Sequence, residues 1–463
     1  MSFVSRPGVQ LGVVSGRRRQ GKTFLLEALA RETGGLYFGA TQATETEALR
    51  LFAQAVSAWV DAAVPLHFPS WDDAVTYLFS LRNRPGPVVI DEFPYLSSVS
   101  PSLPSIVQRE IDRAVSGGGD VRVLLCGSAM SVMGGLLAGS APLRGRASLE
   151  LVVRPFPYLL AARFWGIRDP RLAVCHHAVV GGTPAYRRFV ADDAPGDVAD
   201  FDDWVLRAVL DPATPLFREA RYLLDEQAAV RDTALYHSVL AAVATGNNTR
   251  GGIASYIGRK AGDIGHHLNV LEDSGLLRRD PDVFRSGRSV YRIAEPLITF
   301  YQAIMRPQWG LLESGRAALV WGDSKARFAS KVVGPHFEQL CRESVLAQPS
   351  DVFGGLPGDV GAGVVADPAR KSQIEVDVAV FAPAVPGEPR RLLALGEAKW
   401  GEPIGVRHLE RLRRARDLLA ARGYDTRDAK LAGYSGVGFD SRVRDEGADV
   451  VLFTLGGLYP DLA

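Results

Sequence analysis

Eight residues near the start of the chain have the types and spacing of a phosphate-binding loop: Gly16, Arg17, Arg18, Arg19, Gln20, Gly21, Lys22 and Thr23. They fit the pattern GxxxxGK[ST], in which the glycines let backbone N–H groups approach phosphates and the lysine reaches the β- and γ-phosphates. The threonine hydroxyl is a typical Mg²⁺ ligand. These residues predict a site for a nucleoside triphosphate, with ATP and Mg²⁺ as the expected cofactors.

The segments on both sides of this loop can position it. Residues 9–14 form an apolar run of strand length, and residues 24–30 have the pattern of an amphipathic helix. A strand, a glycine loop and a helix point backbone N–H groups at phosphates, with the positive end of the helix dipole behind them. The alternative for the pattern alone is a glycine turn that contains Lys-Thr by chance.

Two carboxylates, Asp91 and Glu92, follow a second apolar run at residues 87–90. A buried parallel strand has such a continuous apolar run, and acids at its carboxyl end face the crevice in which ligands bind. We expect Asp91 to hold the Mg²⁺ shell and Glu92 to polarise the attacking water, which implies hydrolysis. The alternative is a turn at the end of a strand.

A third apolar run, residues 121–127, ends beside Ser128, which is a candidate sensor of the γ-phosphate. Arg144 and Arg146 follow soon after. An arginine at this place could stabilise the charge of the transition state, in its own subunit or in a neighbouring one. The alternative is a pair of solvated loop arginines.

These motifs, in this order, resemble the archaeal-type ATPase family, which is related to the AAA+ and STAND P-loop proteins. The matching stretches are GRRRQGKT, LYFGA, PVVIDEFPYL, LLCGSAM, PLRGRASLELVVRPFP and GGTPAY. The resemblance implies that Arg146 is the arginine finger and that GGTPAY lies in a helical lid. Family members usually carry a longer segment with an FxxRExE-like motif that helps to enclose the base. Residues 3–6 are only faintly similar to it, so the base specificity is open.

Residues 229–310 have the pattern of a winged helix-turn-helix. Helical spacing predicts three helices, the third over residues 263–277, and two short strands then predict a wing. The third helix would enter the major groove of double-stranded DNA, and the wing would reach phosphates. The side chains offered are His266, His267, Asn269, Arg285 and Arg288. The alternative is a packing or oligomerisation element.

The C-terminal part carries a second set of residues that could do chemistry. Residues 374–380 alternate as a half-buried strand that contains Asp377, and residues 391–400 form a second strand that contains Glu397 and Lys399 on one face. Two carboxylates and a lysine suit metal-dependent hydrolysis of a phosphodiester, in which the carboxylates hold Mg²⁺ and Lys399 orients or activates water.

This arrangement resembles the PD-(D/E)xK nucleases, and the resemblance implies that Glu338, on a preceding helix, is a further metal ligand. The bare D…ExK pattern is weak, because any acidic strand near Glu-x-Lys matches it. A following helix carries Arg407, Arg411 and Arg414 on one face, a candidate stripe for the DNA backbone.

Composition agrees with a soluble, multi-domain protein. The chain has 463 residues and a net charge of +1, so a DNA surface must be a local patch. Three scattered cysteines and the absence of a signal peptide or a long apolar run predict a cytoplasmic protein without a membrane segment.

The predicted class is α/β, in four segments: a P-loop NTPase core at 1–160, a helical lid at 161–228, a winged helix at 229–310 and a restriction-endonuclease-like domain at 325–463. Two hypotheses follow. The first is an ATPase coupled to DNA binding and cleavage, with a homo-oligomer as a candidate assembly. The second is a nucleotide-driven switch whose C-terminal fold is a catalytically inactive interaction module.

Overall fold

A computed structural model of the chain describes residues 2–81, 86–225, 233–460 and 462. The chain divides into two units, Met1–Pro155 with Asp273–Gly275, and Phe156–Glu272 with Leu276–Ala463. The predicted boundary between the lid and the winged helix, at residues 228 and 229, lies outside the described residues. In the described part of the chain, no helix has both the length and the apolar character that crossing a membrane requires.

The first unit contains a five-stranded parallel sheet. Its strands are β1 (Gln10–Ser15), β2 (Leu36–Gly39), β3 (Val88–Asp91), β4 (Arg122–Gly127) and β5 (Ala147–Val152). They lie in the order β2-β3-β4-β1-β5, and every neighbouring pair is parallel. The α/β class with a parallel central sheet is therefore confirmed, as are the strands predicted around the phosphate-binding loop and the two carboxylates.

Side chains that alternate along these strands enter two separate hydrophobic cores. Leu11 and Val13 of β1 belong to one core, whereas Val14 belongs to the other. The helices that supply the partner residues are α1 (Ser2–Ser5), α2 (Lys22–Thr33), α3 (Glu45–Trp59), α4 (Trp71–Ser80), α5 (Phe93–Val99), α6 (Leu103–Ser116) and α7 (Met130–Gly135). A sheet buried on both faces explains why its strands are continuous apolar runs.

The parallel order brings three loops to one edge of this sheet. β1 lies beside β4, and β4 lies beside β3. The carboxyl ends of these strands are followed by Gly16, Ser128 and Glu92 respectively. The three segments that the sequence predicts to meet a nucleotide are therefore neighbours.

The second unit begins with a helical region. Its helices are α8 (Tyr158–Trp165), α9 (Pro170–Val180), α10 (Ala185–Phe189), α11 (Phe201–Trp204), α12 (Pro215–Asp225), α13 (Thr233–Ala244), α14 (Arg250–Tyr256) and α15 (Gly265–Asp273). The segment after α15 forms an antiparallel pair, β6 (Leu277–Pro281) and β7 (Ser289–Ile293). The third predicted helix is shorter than expected, because Gly275 adopts a left-handed φ of 67° just after it.

Four more helices lead to a second five-stranded sheet. They are α16 (Pro296–Phe300), α17 (Trp309–Glu313), α18 (Ala317–Arg327) and α19 (Gly334–Ser344). The sheet contains β8 (Asp359–Asp367), β9 (Ser372–Phe381), β10 (Leu392–Lys399), β11 (Lys430–Ser435) and β12 (Val450–Phe453), and α20 (Val406–Ala420) and α21 (Leu455–Leu458) complete the unit. β8, β9 and β10 pair antiparallel, whereas β10, β11 and β12 pair parallel.

The two faces of this second sheet have different partners. Val376 and Leu395 pack on one face in a core with Leu409 and Leu412 of α20. On the opposite face, Val378 belongs to the same core as the helical region, from α8 to α19. The helical region and the C-terminal sheet thus share one hydrophobic core.

A buried histidine in α9 predicts a dependence of stability on pH. His176 lies between the rings of Trp165 and Trp204, at centroid distances of 4.4 and 4.7 Å. Burial, aided by the neighbouring His177, lowers the pKa of His176 to about 3. The folded state therefore favours the neutral ring. The contribution of His176 to the free energy of unfolding is fully present above its pKa in the unfolded chain, about 6.5, and is lost as the pH falls towards its pKa in the folded protein.

Through His176 alone, we expect the free energy of unfolding to fall by about 2 kcal/mol from pH 7 to pH 5. The measurement is urea unfolding at both pH values for the wild type and for His176→Phe, which keeps an aromatic ring at this position and removes the titrating group. The variant should lose less stability at pH 5 than the wild type does. An equal loss in both proteins would contradict the assignment.

Candidate functional site

The loop after β1 has the backbone conformation that a phosphate cradle needs. Gly21 has φ 83° and Gly16 has φ 147°, both in the range that L side chains rarely adopt. A Cβ on Gly16 would lie 2.4 Å from the carbonyl oxygen of Val153. Only glycine fits at position 16, so the glycines of the motif are required by the turn and by the close approach of the next chain segment.

Lys22 folds back over this loop. Its Nζ donates hydrogen bonds to the carbonyl oxygens of Gly16 and Arg17, at 2.7 and 2.8 Å. Its side chain is only 5% exposed. Burial lowers the pKa of Lys22, although Cys126, Glu92 and Asp91 act in the opposite direction. A buried ammonium of this kind is a favourable place for an anion such as a phosphate group.

A hydrogen bond joins the loop to the carboxylate of β3. Thr23 Oγ1 donates to Asp91 Oδ2 at 2.7 Å, and Tyr37 Oη donates to the same oxygen at 2.9 Å. Burial raises the pKa of Asp91, but hydrogen bonds from Cys126, Thr23 and Tyr37 outweigh it and hold the pKa below its usual range. A threonine hydroxyl beside an ionised aspartate is a suitable donor set for Mg²⁺.

Glu92 adopts a strained backbone conformation next to Asp91. Its φ is 50° and its ψ is 41°, a left-handed conformation that is uncommon for a residue with a side chain. Its Oε2 accepts a hydrogen bond from Ser128 Oγ at 3.1 Å. The side chain of Arg18 reaches the same serine, with Nε 3.3 Å from Ser128 Oγ. Loop, carboxylate and predicted sensor are therefore linked directly.

Three further residues of the predicted loop have defined places. Arg17 and Gln20 are buried, at 7% and 6% exposure. Arg19 has a left-handed φ of 69°. The structure brings all eight loop residues, Asp91, Glu92 and Ser128 to one edge of the sheet.

Sequence reasoning missed the roles of two residues at this site, Tyr37 and Cys126, both of which contact Asp91. They belong to the stretches LYFGA and LLCGSAM, so their strands were identified. Nothing in their spacing indicates that their side chains turn towards the carboxylate.

Arg146 lies at the other end of the sheet. It immediately precedes β5, and the register pairs Ala147 with Leu11 near the start of the parallel strand β1. At about 3.3 Å per residue, Gly16 is about 17 Å away along β1. The guanidinium instead forms two hydrogen bonds of 2.8 Å with Asp112. In this arrangement Arg146 lies away from the loop of its own chain, and whether it acts in its own subunit or in a neighbouring one stays a prediction.

The second predicted cluster forms where β9 meets β10. Val378 pairs with Gly396, which places Asp377 beside Glu397. Lys399 Nζ is 2.9 Å from Glu397 Oε1. Asp377 Oδ2 accepts a hydrogen bond of 2.9 Å from the backbone N–H of Ala398. Glu338 of α19 also belongs to the cluster, since its charge influences both Asp377 and Lys399.

Asp377 and Glu397 are buried, and Glu338 is partly buried. Burial and the nearby carboxylate of Glu338 raise the pKa of Asp377 to about 7. Burial also raises the pKa of Glu338, against the effect of Arg292 and Arg342. Burial lowers the pKa of Lys399, but its bond to Glu397 outweighs this, so the pKa is raised and Lys399 stays an ammonium. Lys399 can therefore orient water but is poorly suited to take a proton from it.

Cations of the protein occupy part of the cluster. Arg411 Nη1 is 3.2 Å from Glu397 Oε1, the oxygen that Lys399 also contacts. The other oxygen, Glu397 Oε2, is buried and has no hydrogen-bond partner in the described structure. Within residues 2–81, 86–225, 233–460 and 462, no group of three His, Cys, Asp or Glu side chains is arranged to hold a metal ion.

The stripe of arginines on α20 is partly engaged within the protein. Arg414 forms a fork of two hydrogen bonds with Asp367, at 2.9 and 3.0 Å, and Arg411 pairs with Glu397. Both arginines therefore have partners within the protein, and contact of the stripe with the DNA backbone stays a prediction.

The segment with three helices and two strands presents only some of the predicted side chains to solvent. His266 and Asn269 are exposed on α15, whereas His267 packs against the ring of Tyr236 at 5.2 Å. A groove of about 550 Å³ lies between α14, α15 and the β6–β7 pair, and its lining includes Arg250, Asn269, Arg279 and Arg288. The loop between β6 and β7 is bound to β8, since Val283 N donates to Ala362 O at 3.1 Å.

Comparison with known proteins gives distant similarities. No family model matches the chain. An uncharacterized protein of Methanocaldococcus jannaschii, MJECL04, is 25% identical over 338 residues, which are 72% of each chain. Among solved structures, the chain is similar to the Walker-type ATPase PABY2304 of Pyrococcus abyssi, with 18% identity, a TM-score of 0.47, and coverage of 63% of this chain and 90% of that one.

A second similar structure is the ORC2 protein of Aeropyrum pernix, in its ADPNP–ADP complexes. It has 13% identity and a TM-score of 0.39, with coverage of 69% of this chain and 89% of that chain. Both TM-scores are below 0.5, so the description of the fold rests on the strand order and loops of this chain.

Proposed function

We propose that the first unit binds ATP with Mg²⁺ and hydrolyses it. The observation that carries this proposal is the hydrogen bond between Thr23 and Asp91, which joins the phosphate-binding loop to the acidic end of β3. A hydroxyl beside an ionised carboxylate is the kind of oxygen donor pair that Mg²⁺ bound to a triphosphate takes. Bound Mg²⁺ would neutralise charge that develops on the phosphate oxygens.

Each residue of the site has one role in the proposed hydrolysis. Glu92 accepts a proton from water while the water oxygen forms a bond to the γ-phosphorus. The bond from that phosphorus to the β–γ bridging oxygen breaks, and ADP leaves with the electron pair. Lys22 and the N–H groups of the loop hold the phosphates in line. Ser128 keeps the carboxylate of Glu92 in place.

The test is ATP binding by Lys22→Ala. We expect the Kd for ATP to rise about 10- to 100-fold, because a hydrogen bond to a charged group contributes about 1.5–3 kcal/mol. The free protein should keep its melting temperature, because the cost of desolvating the buried ammonium offsets its hydrogen bonds to the carbonyl oxygens of Gly16 and Arg17. Titration with a fluorescent ATP analogue and thermal unfolding measure the two quantities.

A matched control is Arg50→Ala, which removes an exposed cation of the same unit that pairs with Glu47. It should change neither quantity. Equal ATP affinity in the wild type and Lys22→Ala would contradict a phosphate site at this loop.

A second candidate function is metal-dependent cleavage of DNA by the second unit. Its specific observation is the buried oxygen Glu397 Oε2, which has no partner in the described structure and lies beside Asp377, although no three acidic, His or Cys side chains of the described residues are arranged to hold a metal ion. A buried carboxylate oxygen without a partner is costly unless something binds it, and a cation such as Mg²⁺ would do so. The groove beside α15, with three arginines, is our candidate contact for the phosphates of duplex DNA.

The ion pair between Arg411 and Glu397 supports the competing hypothesis, an inactive interaction module controlled by nucleotide. A metal ion at Glu397 would have to compete with this guanidinium and with Lys399. Cleavage of plasmid DNA in Mg²⁺, with and without ATP, separates the two hypotheses and also tests whether the two sites are coupled.

A further inference from the structure

The side chain of Arg18 contacts two hydroxyl groups on the acidic side of the nucleotide site. Its Nη2 donates to Tyr95 Oη at 2.9 Å, and its Nε lies 3.3 Å from Ser128 Oγ. Ser128 in turn donates to Glu92 Oε2 at 3.1 Å. One serine thus separates the guanidinium of Arg18 from the proposed base.

The charge of Arg18 also acts on Lys22. Burial is the main cause of the lowered pKa of Lys22, but the positive charge of Arg18 also contributes to it. A cation that acts on Lys22 and is bonded to the sensor serine lies beside the place where a γ-phosphate would be bound. Arg146 has no such position, since it pairs with Asp112 at the far edge of the sheet.

We propose that Arg18 stabilises the charge on the γ-phosphoryl group during hydrolysis, within its own subunit. This inference rests on the proposed ATPase function. A guanidinium is always charged and presents a planar fork that suits phosphoryl oxygens, so it binds charge spread over several of them. Two of its present partners, Tyr95 and Ser128, offer neutral hydroxyls. A charged phosphoryl oxygen is a stronger acceptor than either of them.

The role has a second consequence for Glu92. When Arg18 turns to a phosphoryl oxygen, Ser128 loses the donor at its Oγ but still donates its own hydrogen bond to Glu92 Oε2. The surroundings of Ser128, and through it of Glu92, then differ between the free protein and the protein with a γ-phosphate. Arg18 would in this way act on the reacting group directly and on Glu92 through Ser128.

The experiment compares Arg18→Ala and Arg18→Lys with the wild type in three measurements: the Kd for ADP, kcat for ATP, and the affinity for ADP with aluminium fluoride, which mimics the transition state. For Arg18→Ala we expect kcat to fall about 10³-fold, with the Kd for ADP changed by less than about threefold. Affinity for ADP with aluminium fluoride should fall by a similar factor to kcat. Arg18→Lys should recover only part of kcat and of the affinity for ADP with aluminium fluoride, because lysine lacks the planar guanidinium fork of arginine.

If Arg18 acts only in folding, Arg18→Ala should lower the melting temperature and the ADP affinity together. The ratio between the affinity for ADP and the affinity for ADP with aluminium fluoride should then stay unchanged. Arg113→Ala, which removes a largely exposed cation of α6, is the matched control and should behave as the wild type does. If the wild type hydrolyses ATP and Arg18→Ala keeps kcat within about threefold, the proposal for Arg18 is overturned while the ATPase stands. A wild type without ATP binding would overturn both.

Mixing variants tests whether the action lies in one subunit. Lys22→Ala supplies an intact Arg18 on a chain that binds ATP poorly, and Arg18→Ala supplies an intact loop lysine. Action within the subunit predicts that the mixture has only the summed activity of its parts. A mixture that exceeds this sum overturns the assignment to the same subunit.

Discussion

Replacing Glu92 by Gln is expected to lower the turnover of ATP by about 10²- to 10⁴-fold, the usual contribution of a positioned general base. The amide has the size of the carboxylate and can still accept the hydrogen bond from Ser128 Oγ, so the fold of the site should persist. It cannot take a proton from water. The affinity for ATP should therefore stay within about threefold of the wild type, because the phosphates are held by the loop and not by Glu92.

The measurement is phosphate release at saturating ATP, together with the Kd from nucleotide titration. Glu47→Gln is a suitable control, since Glu47 is an exposed residue of α3 in the same unit. Unchanged turnover in Glu92→Gln would remove Glu92 from the mechanism. A parallel loss of turnover and affinity would point to a distorted loop, because the backbone at position 92 is already strained at φ 50°.

Replacing Asp377 or Lys399 by Ala is expected to abolish Mg²⁺-dependent cleavage of plasmid DNA, with a loss of about 10²-fold or more. Asp377 is the acid that the hairpin of β9 and β10 places beside Glu397. Lys399 keeps its proton and is the cation of the site best placed to orient an anionic phosphate or a water. Neither change should affect ATP hydrolysis by the first unit.

Two residues of the same sheet serve as controls, the exposed Asp359 in Asp359→Ala and the partly exposed Lys430 in Lys430→Ala. Asp359 pairs with Arg390, and Lys430 donates to Ala448 O. Cleavage that survives both active-site changes would come from a contaminant or another site. A wild type that binds DNA without cutting it in Mg²⁺ or Mn²⁺ would favour the interaction module, with Arg411 as the standing partner of Glu397.

The local sequence pattern was sufficient to predict the strands that carry the nucleotide site. The runs before Gly16, Asp91 and Ser128 became β1, β3 and β4, because a strand buried on both faces needs an uninterrupted apolar sequence. Threonine is a favoured N-cap residue, and Thr249 takes this place at α14, where its side chain accepts from Gly252 N. The alternation of Glu397 and Lys399 also placed both on one face of β10.

The charged partners could not be derived in this way. Arg146 matches the family pattern for a finger, yet it binds Asp112, a residue 34 positions earlier that approaches it only in the folded chain. Arg414 binds Asp367, 47 positions away. An ion pair depends on which surfaces the fold brings together, and the spacing of residues along one helix or loop carries no information about that.

The phosphate-binding loop, the two acids after β3 and the strands that present them can be derived from the sequence, because each depends on residues that are neighbours in the chain. The side chains that surround those acids depend on the tertiary structure. Tyr37 and Cys126 reach Asp91 from two other strands, and Arg18 reaches Ser128 across the edge of the sheet. The order β2-β3-β4-β1-β5 brings these strands together, and strand order is a property of the whole sheet.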